Sequence, residues 1–200
     1  MDRIETDGLG MRPICDNDAS FFCGIYGDPV AMRFLGPPLA LERAERSFRR
    51  VLALVLRRPI ERVCMVIIEK ATQQAIGLGG YQEFDHGRHR LEAGMILQPA
   101  FQGRGFGKQG LGALVEHAFT VFPVQEVWIQ HAANNQIARR VPVSLGFTYR
   151  NELAATDRRL PQSLWSAYRD SWRPRPGYCR CPACQGTKVP TVKPGEEHSC

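Results

Sequence analysis

The sequence predicts an α/β domain of the α+β type, in which a mixed, mostly antiparallel central sheet is flanked by helices. Two observations support this prediction. A basic amphipathic segment precedes three β-branched, apolar segments that short polar turns connect, and short turns join antiparallel strands. A glycine-rich loop then leads into a helical pattern, and strand and helix patterns alternate over the following residues.

The N-terminal part is predicted to be mainly helical after one short strand. Residues 9–14 (LGMRPI) form the strand, and Asp16 is a candidate N-cap for a helix that ends at Gly27. A short helix restarts after Asp28, because the proline that follows suits the first helical position. Residues 40–57 form the basic helix, whose apolar face is made by Ala44, Phe48, Val51, Leu52 and Val55.

The chain from residue 62 to residue 172 is predicted to supply most of the sheet. Pro142 lies inside a helical segment there, and we expect it to kink or shorten that helix. The patterns give, in chain order, three antiparallel strands at 62–70, 75–84 and 89–98, a helix at 107–122, a strand at 124–132, a helix at 135–146 and late strands at 146–153 and 162–172.

Composition and charge limit the classes of protein that fit. The 200 residues are 44% hydrophobic and 23% charged, which is typical of a globular domain. No apolar run reaches the about 18 residues that a membrane helix needs, and the N-terminus lacks a secretory pattern, so a cytoplasmic protein without membrane contact is predicted. The net charge is +6, but the arginines are spread along the chain, so a nucleic-acid partner is not expected.

A change in composition near residue 173 divides the chain into a domain at 1–172 and an extension at 173–200. The extension is rich in Pro, Gly and Cys and has too few large aliphatic residues to form a core. Zinc is commonly held by four Cys or His ligands, so a structural zinc site is a candidate here, and a tail with exposed thiols is the alternative. The proposed ligands are Cys179, Cys181, Cys184 and Cys200, with His198 as a fifth candidate.

The segment QGRGFGKQG at 102–110 has four glycines and two basic residues, which is typical of a phosphate-binding loop. It contains the dinucleotide motif G-x-G-x-x-G, but the next strand ends in Gln130 and His131, where that motif needs a carboxylate for the ribose. It also matches the end of a P-loop, but Gln109 replaces the magnesium-binding Ser or Thr and Gln102 replaces the first glycine. Both interpretations are therefore rejected.

The third interpretation of this loop is a coenzyme A site. Its residues fit the pattern Q/R-x-x-G-x-G/A and so resemble the acyl-CoA signature of the GNAT N-acetyltransferases. Glycines bring backbone N–H groups close to an anion, and the positive end of the following helix favours the anion there. The resemblance implies that the pyrophosphate of acetyl-CoA lies against Gln102, Gly103, Arg104, Gly105, Phe106, Gly107 and Lys108.

Three segments in order strengthen the resemblance and narrow it to the ribosomal-protein-alanine acetyltransferase-like branch. Residues 9–36 and 91–111 resemble the opening and the "aEiGy.L.P.yqGkGy" segment of that branch, and ANNQIARRVPVSLGF at 133–147 resembles "N..S.rvleklGF". The resemblance implies the GNAT acyl-CoA N-acyltransferase fold. It also implies further cofactor contacts, through backbone N–H groups near the thioester or side chains on the late helix, at Met95, Ile96, Leu97, Asn135 and Arg140.

The acetylation of an amine needs a group that takes the amine proton. Glu92 matches the acidic position of the "aEiGy" segment and is the first candidate, Glu83 is the second and His131 is the third. The sequence departs from the family at Ala138, where many relatives have serine, and residues 135–145 contain no tyrosine to protonate the leaving thiolate.

The predicted function is that of an acetyl-CoA-dependent N-acetyltransferase. The resemblance implies that an amine of a protein N-terminus or a small molecule attacks the thioester directly in a ternary complex. A monomer or a homodimer is expected. The alternative, left open by the two departures, is a non-catalytic acyl-CoA-binding or nucleic-acid-associated module with a zinc-binding tail.

Overall fold

A computed structural model describes residues 3–57, 59–156 and 160–173 of the chain. Eight strands form one sheet in the order β1-β2-β3-β4-β5-β6-β8-β7. All neighbouring strands are antiparallel except β5 and β6, which are parallel. The strands are β1 (Ile4–Glu5), β2 (Leu9–Pro13), β3 (Val63–Glu69), β4 (Gln74–Asp85), β5 (Arg90–Leu97), β6 (Glu126–Ala132), β7 (Thr148–Leu153) and β8 (Gln162–Tyr168).

Helices cover both faces of this sheet, which is the fold class that the sequence predicts. They are α1 (Ala19–Gly27), α2 (Pro29–Met32), α3 (Leu41–Val55), α4 (Phe106–Val121) and α5 (Gln136–Leu145), with 3-10 turns at Asp16–Asp18 and Pro99–Phe101. No helix among the described residues is long and apolar enough to cross a membrane.

The core has two parts, one on each face of the sheet. On one face α4 contributes Leu111 and Leu114, which are buried in the same cluster as Leu91 and Val127 of the central strands. The second, smaller cluster joins α1 and α3 to the opposite face, through Phe22, Ile25, Phe48, Val51, Val66 and Leu78. Because both faces of the sheet are covered, neighbouring residues of one strand are buried on opposite faces. This explains the runs of consecutive buried residues in β3 and β4.

Strands β3 and β4 approach each other so closely at one point that only glycine fits. Gly80 has a φ of +154°, and a Cβ added to it would lie 2.0 Å from the carbonyl oxygen of Val63. A side chain at this position would therefore displace the backbone of β3.

Three sequence expectations differ from the structure. Asp16 is not the N-cap of α1 but the first residue of a 3-10 turn, and Asp18 is the N-cap. Strand β1 and the two 3-10 turns were not predicted, because two or three residues are too short for a periodic pattern. Pro142 does not shorten α5, which runs on to Leu145. The proline removes one N–H donor, but its own carbonyl still accepts from the N–H of Phe147 at 3.0 Å, and Gly146 ends the helix in the left-handed region.

Candidate active site

The two parallel strands at the centre of the sheet separate after three residue pairs. Arg90, Leu91 and Glu92 of β5 pair with consecutive residues of β6, and the strands diverge beyond Glu92. Residues 93–97 of β5 remain paired with β4 on their other side. The backbone of 93–97 that faces β6 is therefore an open strand edge, which can bond an extended ligand that carries amides.

This open edge leads directly into the glycine-rich loop. The amide Nε2 of Gln102 donates to the carbonyl oxygen of Leu97 at 3.0 Å and so ties the loop to the end of β5. Gly103 and Gly105 have φ values of +76° and +85°, and both have open space where a Cβ would lie. Left-handed φ values explain the two glycines, since other residues are strained in this region.

Helix α4 begins at the end of this loop, so the first N–H groups of the helix lie beside it. Gly105 is the N-cap and gives no side-chain cap to these donors. The first N–H groups of a helix have no partner within the helix, and the helix dipole adds partial positive charge there. The geometry at this helix start is therefore suited to an anion, and Phe106, Gly107 and Lys108 of the predicted cofactor loop lie in the first turn.

The two basic side chains of the loop differ in their surroundings. Arg104 donates from Nη2 to Oε1 of Glu69 at 2.8 Å, and the Glu69 side chain is only 5% exposed. The guanidinium also lies over the rings of Phe101 and Phe106, at 5.3 and 5.0 Å. Lys108 is half-buried in the first turn of α4. The charge of Arg104 is thus largely balanced within the protein.

Asn135 and Arg140 lie on α5, which follows β6 beyond the point of divergence. The side chain of Asn135 is the N-cap of α5, because its Oδ1 accepts from the N–H of Ala138 at 3.0 Å. Arg140 is exposed on the same helix. Asn135 therefore has a structural role in starting α5, and only its amide nitrogen remains for a ligand.

Glu92 is the last residue of β5 that pairs with β6. It therefore lies where the opening between these two diverging strands begins. It is 5% exposed. One carboxylate oxygen accepts from Nε2 of Gln82 at 2.9 Å, and the other accepts from Nε2 of Gln130 at 3.0 Å. Arg62 in turn donates to Oε1 of Gln82 and fixes the orientation of that amide. These contacts hold a buried carboxylate in one position at the head of the opening.

Glu83 and His131, the other two candidates for the base, occupy different settings. Glu83 is exposed, has a φ of +51° and lies in a β-bulge between Gln82 and Asp85. His131 lies at the end of β6, and Trp165 donates to its Nε2 at 3.1 Å. Of the three, the structure brings only Glu92 to the start of the opening with both carboxylate oxygens positioned.

Sequence reasoning missed Gln82 and Gln130, the two residues that position the Glu92 carboxylate. Gln82 and Gln130 lie 48 positions apart in the sequence, on strands β4 and β6. No motif marks either residue as a partner of a carboxylate. Both amides meet Glu92 because of how β4, β5 and β6 pair side by side, and these strands are brought together only by the fold.

No group of three or more His, Cys, Asp or Glu side chains that could hold a metal is found within residues 3–57, 59–156 and 160–173. The predicted zinc ligands Cys179, Cys181, Cys184 and Cys200 lie outside the described residues.

The chain is similar to known acetyltransferases in sequence and in fold. Residues 9–148 match the family model described as "Acetyltransferase (GNAT) domain". The uncharacterized N-acetyltransferase p20 of Bacillus licheniformis is 23% identical over 149 residues, which is 74% of this chain and 83% of that protein. The uncharacterized N-acetyltransferase YoaA of Bacillus subtilis is 22% identical over 149 residues, or 72% of this chain and 81% of that protein.

Solved structures of acetyltransferases share the fold of this chain. A ribosomal L7/L12 alpha-N-protein acetyltransferase (RimL) in complex with coenzyme A superposes with a TM-score of 0.72 and 16% identity, over 84% of this chain and 99% of that chain. A spermidine N-acetyltransferase from Vibrio cholerae in complex with CoA and spermine has a TM-score of 0.69 and 17% identity, over 86% and 98% of the two chains.

Proposed function

The chain belongs to the GNAT acetyltransferase family and is an N-acetyltransferase; we propose that it transfers the acetyl group of acetyl-CoA to an amine by direct attack in a ternary complex. The observation that carries this proposal is the continuity of the site. The open edge of β5 at residues 93–97 begins directly after Glu92 and leads into the loop at the start of α4. A proton acceptor, an amide-binding edge and a phosphate-binding loop thus follow one another along the chain.

The loop is proposed to hold the pyrophosphate of acetyl-CoA. The backbone N–H groups of residues 103–108 are the donors, and Lys108 supplies positive charge beside them. Gln102 positions the loop through its bond to Leu97. Asn135 and Arg140 on α5 are proposed to contact the cofactor from the other side of the opening.

The open edge of β5 is proposed to pair with the pantetheine arm, whose two amides match a strand edge. The backbone N–H groups of Met95 and Leu97, which alternate with those bonded to β4, are the proposed donors to the thioester carbonyl. Negative charge develops on that oxygen when the amine attacks, so a fixed donor lowers the barrier more than it stabilises the ground state. Met95 and Leu97 act here through their backbone. The backbone of Ile96, which the sequence analysis also selected, faces β4 and is not part of this contact.

Glu92 is the proposed general base. The amine nitrogen forms a bond to the carbonyl carbon, the amine proton passes to the Glu92 carboxylate directly or through one water, and the carbon–sulfur bond breaks to release the CoA thiolate. Because α5 contains no tyrosine and has Ala138 where relatives carry serine, the thiolate is proposed to take its proton from solvent. Glu83, which is exposed at its bulge, is not included in this mechanism.

The acceptor is proposed to be the amine of a protein N-terminus or of a small molecule. The resemblance to the ribosomal-protein-alanine acetyltransferase-like branch favours a protein N-terminus, and the fold likeness to the RimL structure is in keeping with that choice. A cytoplasmic location, a monomeric or homodimeric state and a zinc-binding extension remain predictions from the sequence.

Two measurements test the proposed function. Calorimetry with coenzyme A is expected to show binding to one site, and thiol release from acetyl-CoA is expected to depend on an added amine from a panel of peptide N-termini and small amines. An absence of CoA binding would contradict the proposal. CoA binding without turnover on any amine, together with a salt-sensitive gel shift of nucleic acid, would instead favour the non-catalytic alternative.

A further inference from the structure

Arg104 lies in the phosphate loop, yet its guanidinium faces a carboxylate of the protein. Its Nη2 donates to Oε1 of Glu69 at 2.8 Å, and Glu69 is the last residue of β3. The Arg104 side chain is 50% exposed, whereas that of Glu69 is 5% exposed. The pair therefore connects a surface loop to a buried acceptor at the end of a central strand.

Further contacts fix both members of this pair. Thr72 donates from its hydroxyl to Oε2 of Glu69 at 2.7 Å, so both carboxylate oxygens have a donor. The guanidinium of Arg104 lies over Phe101, which precedes the loop, and over Phe106, which starts α4. Arg104 thus contacts both ends of the loop and is tied to β3 as well.

The loop between these contacts is glycine-rich and needs an external restraint. Gly103 and Gly105 flank Arg104, and glycine loses more conformational freedom on ordering than any other residue. A backbone that must present several N–H groups to one anion binds it best when those groups are already in place. Removing the restraint would thus weaken binding without changing the reacting groups.

From these contacts we propose that Glu69 and Arg104 are positioning residues that hold the phosphate loop in its binding conformation, and that Arg104 does not itself neutralise the cofactor phosphates. Lys108 and the N-terminus of α4 then supply the positive field. This inference rests on the proposed function, since it concerns the same loop. It adds Glu69, a residue 33 positions before the loop motif at Gln102, to the set that determines cofactor affinity.

Hydrogen exchange in the absence of cofactor tests the restraint itself. Glu69→Gln and Arg104→Gln are each expected to speed exchange of the Gln109 amide about tenfold, which corresponds to the loss of one charged hydrogen bond. This amide donates to the carbonyl oxygen of Gly105 and closes the first turn of α4, so its protection reports the order of the loop. Arg139→Gln removes a charge from the exposed face of α5 and is the matched control, with exchange at Gln109 unchanged. Equal exchange in wild type and both loop variants would overturn the inference, whether or not the protein binds coenzyme A.

Binding of coenzyme A by calorimetry tests the role of the Arg104 charge. Arg104→Gln leaves the Glu69 carboxylate unbalanced beside the loop, and Kd is expected to rise about tenfold. Adding Glu69→Gln removes that carboxylate, and the two glutamine amides can hydrogen-bond in place of the ion pair. The double variant is therefore expected to bind within about threefold of wild type. Lys108→Gln should also weaken binding, but Glu69→Gln should not restore it.

The kinetic readout separates positioning from general damage. In the Arg104→Gln variant KM for acetyl-CoA should rise while kcat stays unchanged, because the reacting atoms are not touched. A double variant as weak as Arg104→Gln alone would show that Arg104 contacts the phosphates directly and would overturn the inference. Wild-type protein that fails to bind coenzyme A would contradict the proposed function instead, and the exchange experiment would still decide the role of the pair.

Discussion

Trp165 donates its indole N–H to Nε2 of His131 at a distance of 3.1 Å. Because an indole nitrogen only donates, Nε2 of the imidazole must accept, and the ring proton lies on Nδ1. Nδ1 is 2.9 Å from the carbonyl oxygen of Ala132, to which it donates. Both nitrogens of a neutral imidazole are thus engaged within the protein, so His131 is poorly suited to accept a proton from an amine.

The first prediction follows from this pair. His131→Gln keeps a carbonyl oxygen that can accept from Trp165, so kcat/KM is expected to stay within about threefold of wild type while stability falls by at most about 1 kcal/mol. The rate of thiol release and the urea midpoint measure the two effects. A hundredfold loss of kcat in a folded variant would contradict this prediction and would make His131 a candidate for the general base.

Glu92→Gln is expected to lower kcat by about 100- to 1,000-fold, with KM for acetyl-CoA unchanged, because a general base contributes on that scale. The new amide meets the Nε2 donors of Gln82 and Gln130, and Arg62 keeps Gln82 from turning over. Stability should therefore also fall, by about 1–3 kcal/mol. The rate must be measured at a temperature at which circular dichroism shows the variant to be folded.

Two matched variants complete this test. Glu83→Gln removes a carboxylate that is exposed in the bulge, and Glu42→Gln removes one on the outer face of α3. Both are expected to retain kcat within about threefold, since neither group lies at the start of the opening. If Glu83→Gln loses activity and Glu92→Gln keeps it, the two assignments must be exchanged.

Gly105→Ala tests the backbone conformation of the loop. No atom lies within 4 Å of the position of the added Cβ, so the cost comes from the φ of +85° and not from a clash. The free energy of unfolding is expected to fall by about 1–2 kcal/mol, and CoA binding should weaken as the loop relaxes.

Gly24→Ala is the opposite case. It lies on the exposed side of α1, and a Cβ would again meet nothing within 4 Å. Because alanine is a better helix former, this variant is expected to gain about 0.5–1 kcal/mol. Chemical denaturation of the two alanine variants gives both values. Equal stabilities would mean that φ at Gly105 does not control the loop.

Stability is expected to decrease at alkaline pH because of the half-buried thiol of Cys64. Burial raises the pKa of Cys64 to about 12, and burial also raises the pKa of Tyr26. A folded-state pKa above the unfolded one gives stability that is complete below the unfolded pKa and is lost as the pH rises towards the folded pKa. The loss should thus begin near pH 9 and continue to about pH 12.

Urea unfolding at several pH values measures this loss. Wild type should lose about 1 kcal/mol per pH unit above the unfolded thiol pKa, and Cys64→Ala should lose clearly less. Comparison at neutral pH corrects for the packing that alanine removes. The same slope in both proteins would show that Cys64 does not cause the alkaline loss.

The zinc site predicted from the sequence is tested on the full chain. One equivalent of zinc is expected to copurify with the protein under reducing conditions, and Cys181→Ser with Cys184→Ser should abolish it. Elemental analysis measures the stoichiometry. Metal-free wild-type protein that does not take up added zinc would leave the extension as a segment with exposed thiols.

The sequence by itself was enough to predict a coenzyme A site and most of the elements. The loop from Gln102 to Lys108 has a fixed local spacing, and the start of a helix creates an anion site from consecutive residues. Strands β3, β4 and β5 could be predicted for the same reason, because apolar alternation and short turns act between neighbours in the chain. The expectation that Pro142 shortens its helix was wrong, because α5 runs on to Leu145.

Only the tertiary structure decided which side chains meet. The amides at Glu92 come from β4 and β6, and Glu69, which binds Arg104, comes from the far end of β3. The separation of β5 from β6 is likewise a property of strand register and not of either strand alone. A shift of one residue would turn each of these side chains to the other face, and between strands that are distant in the chain the packing of their buried faces sets the register. The loop motif therefore indicates the cofactor, whereas the fold selects the groups that position it and the carboxylate proposed to take the proton.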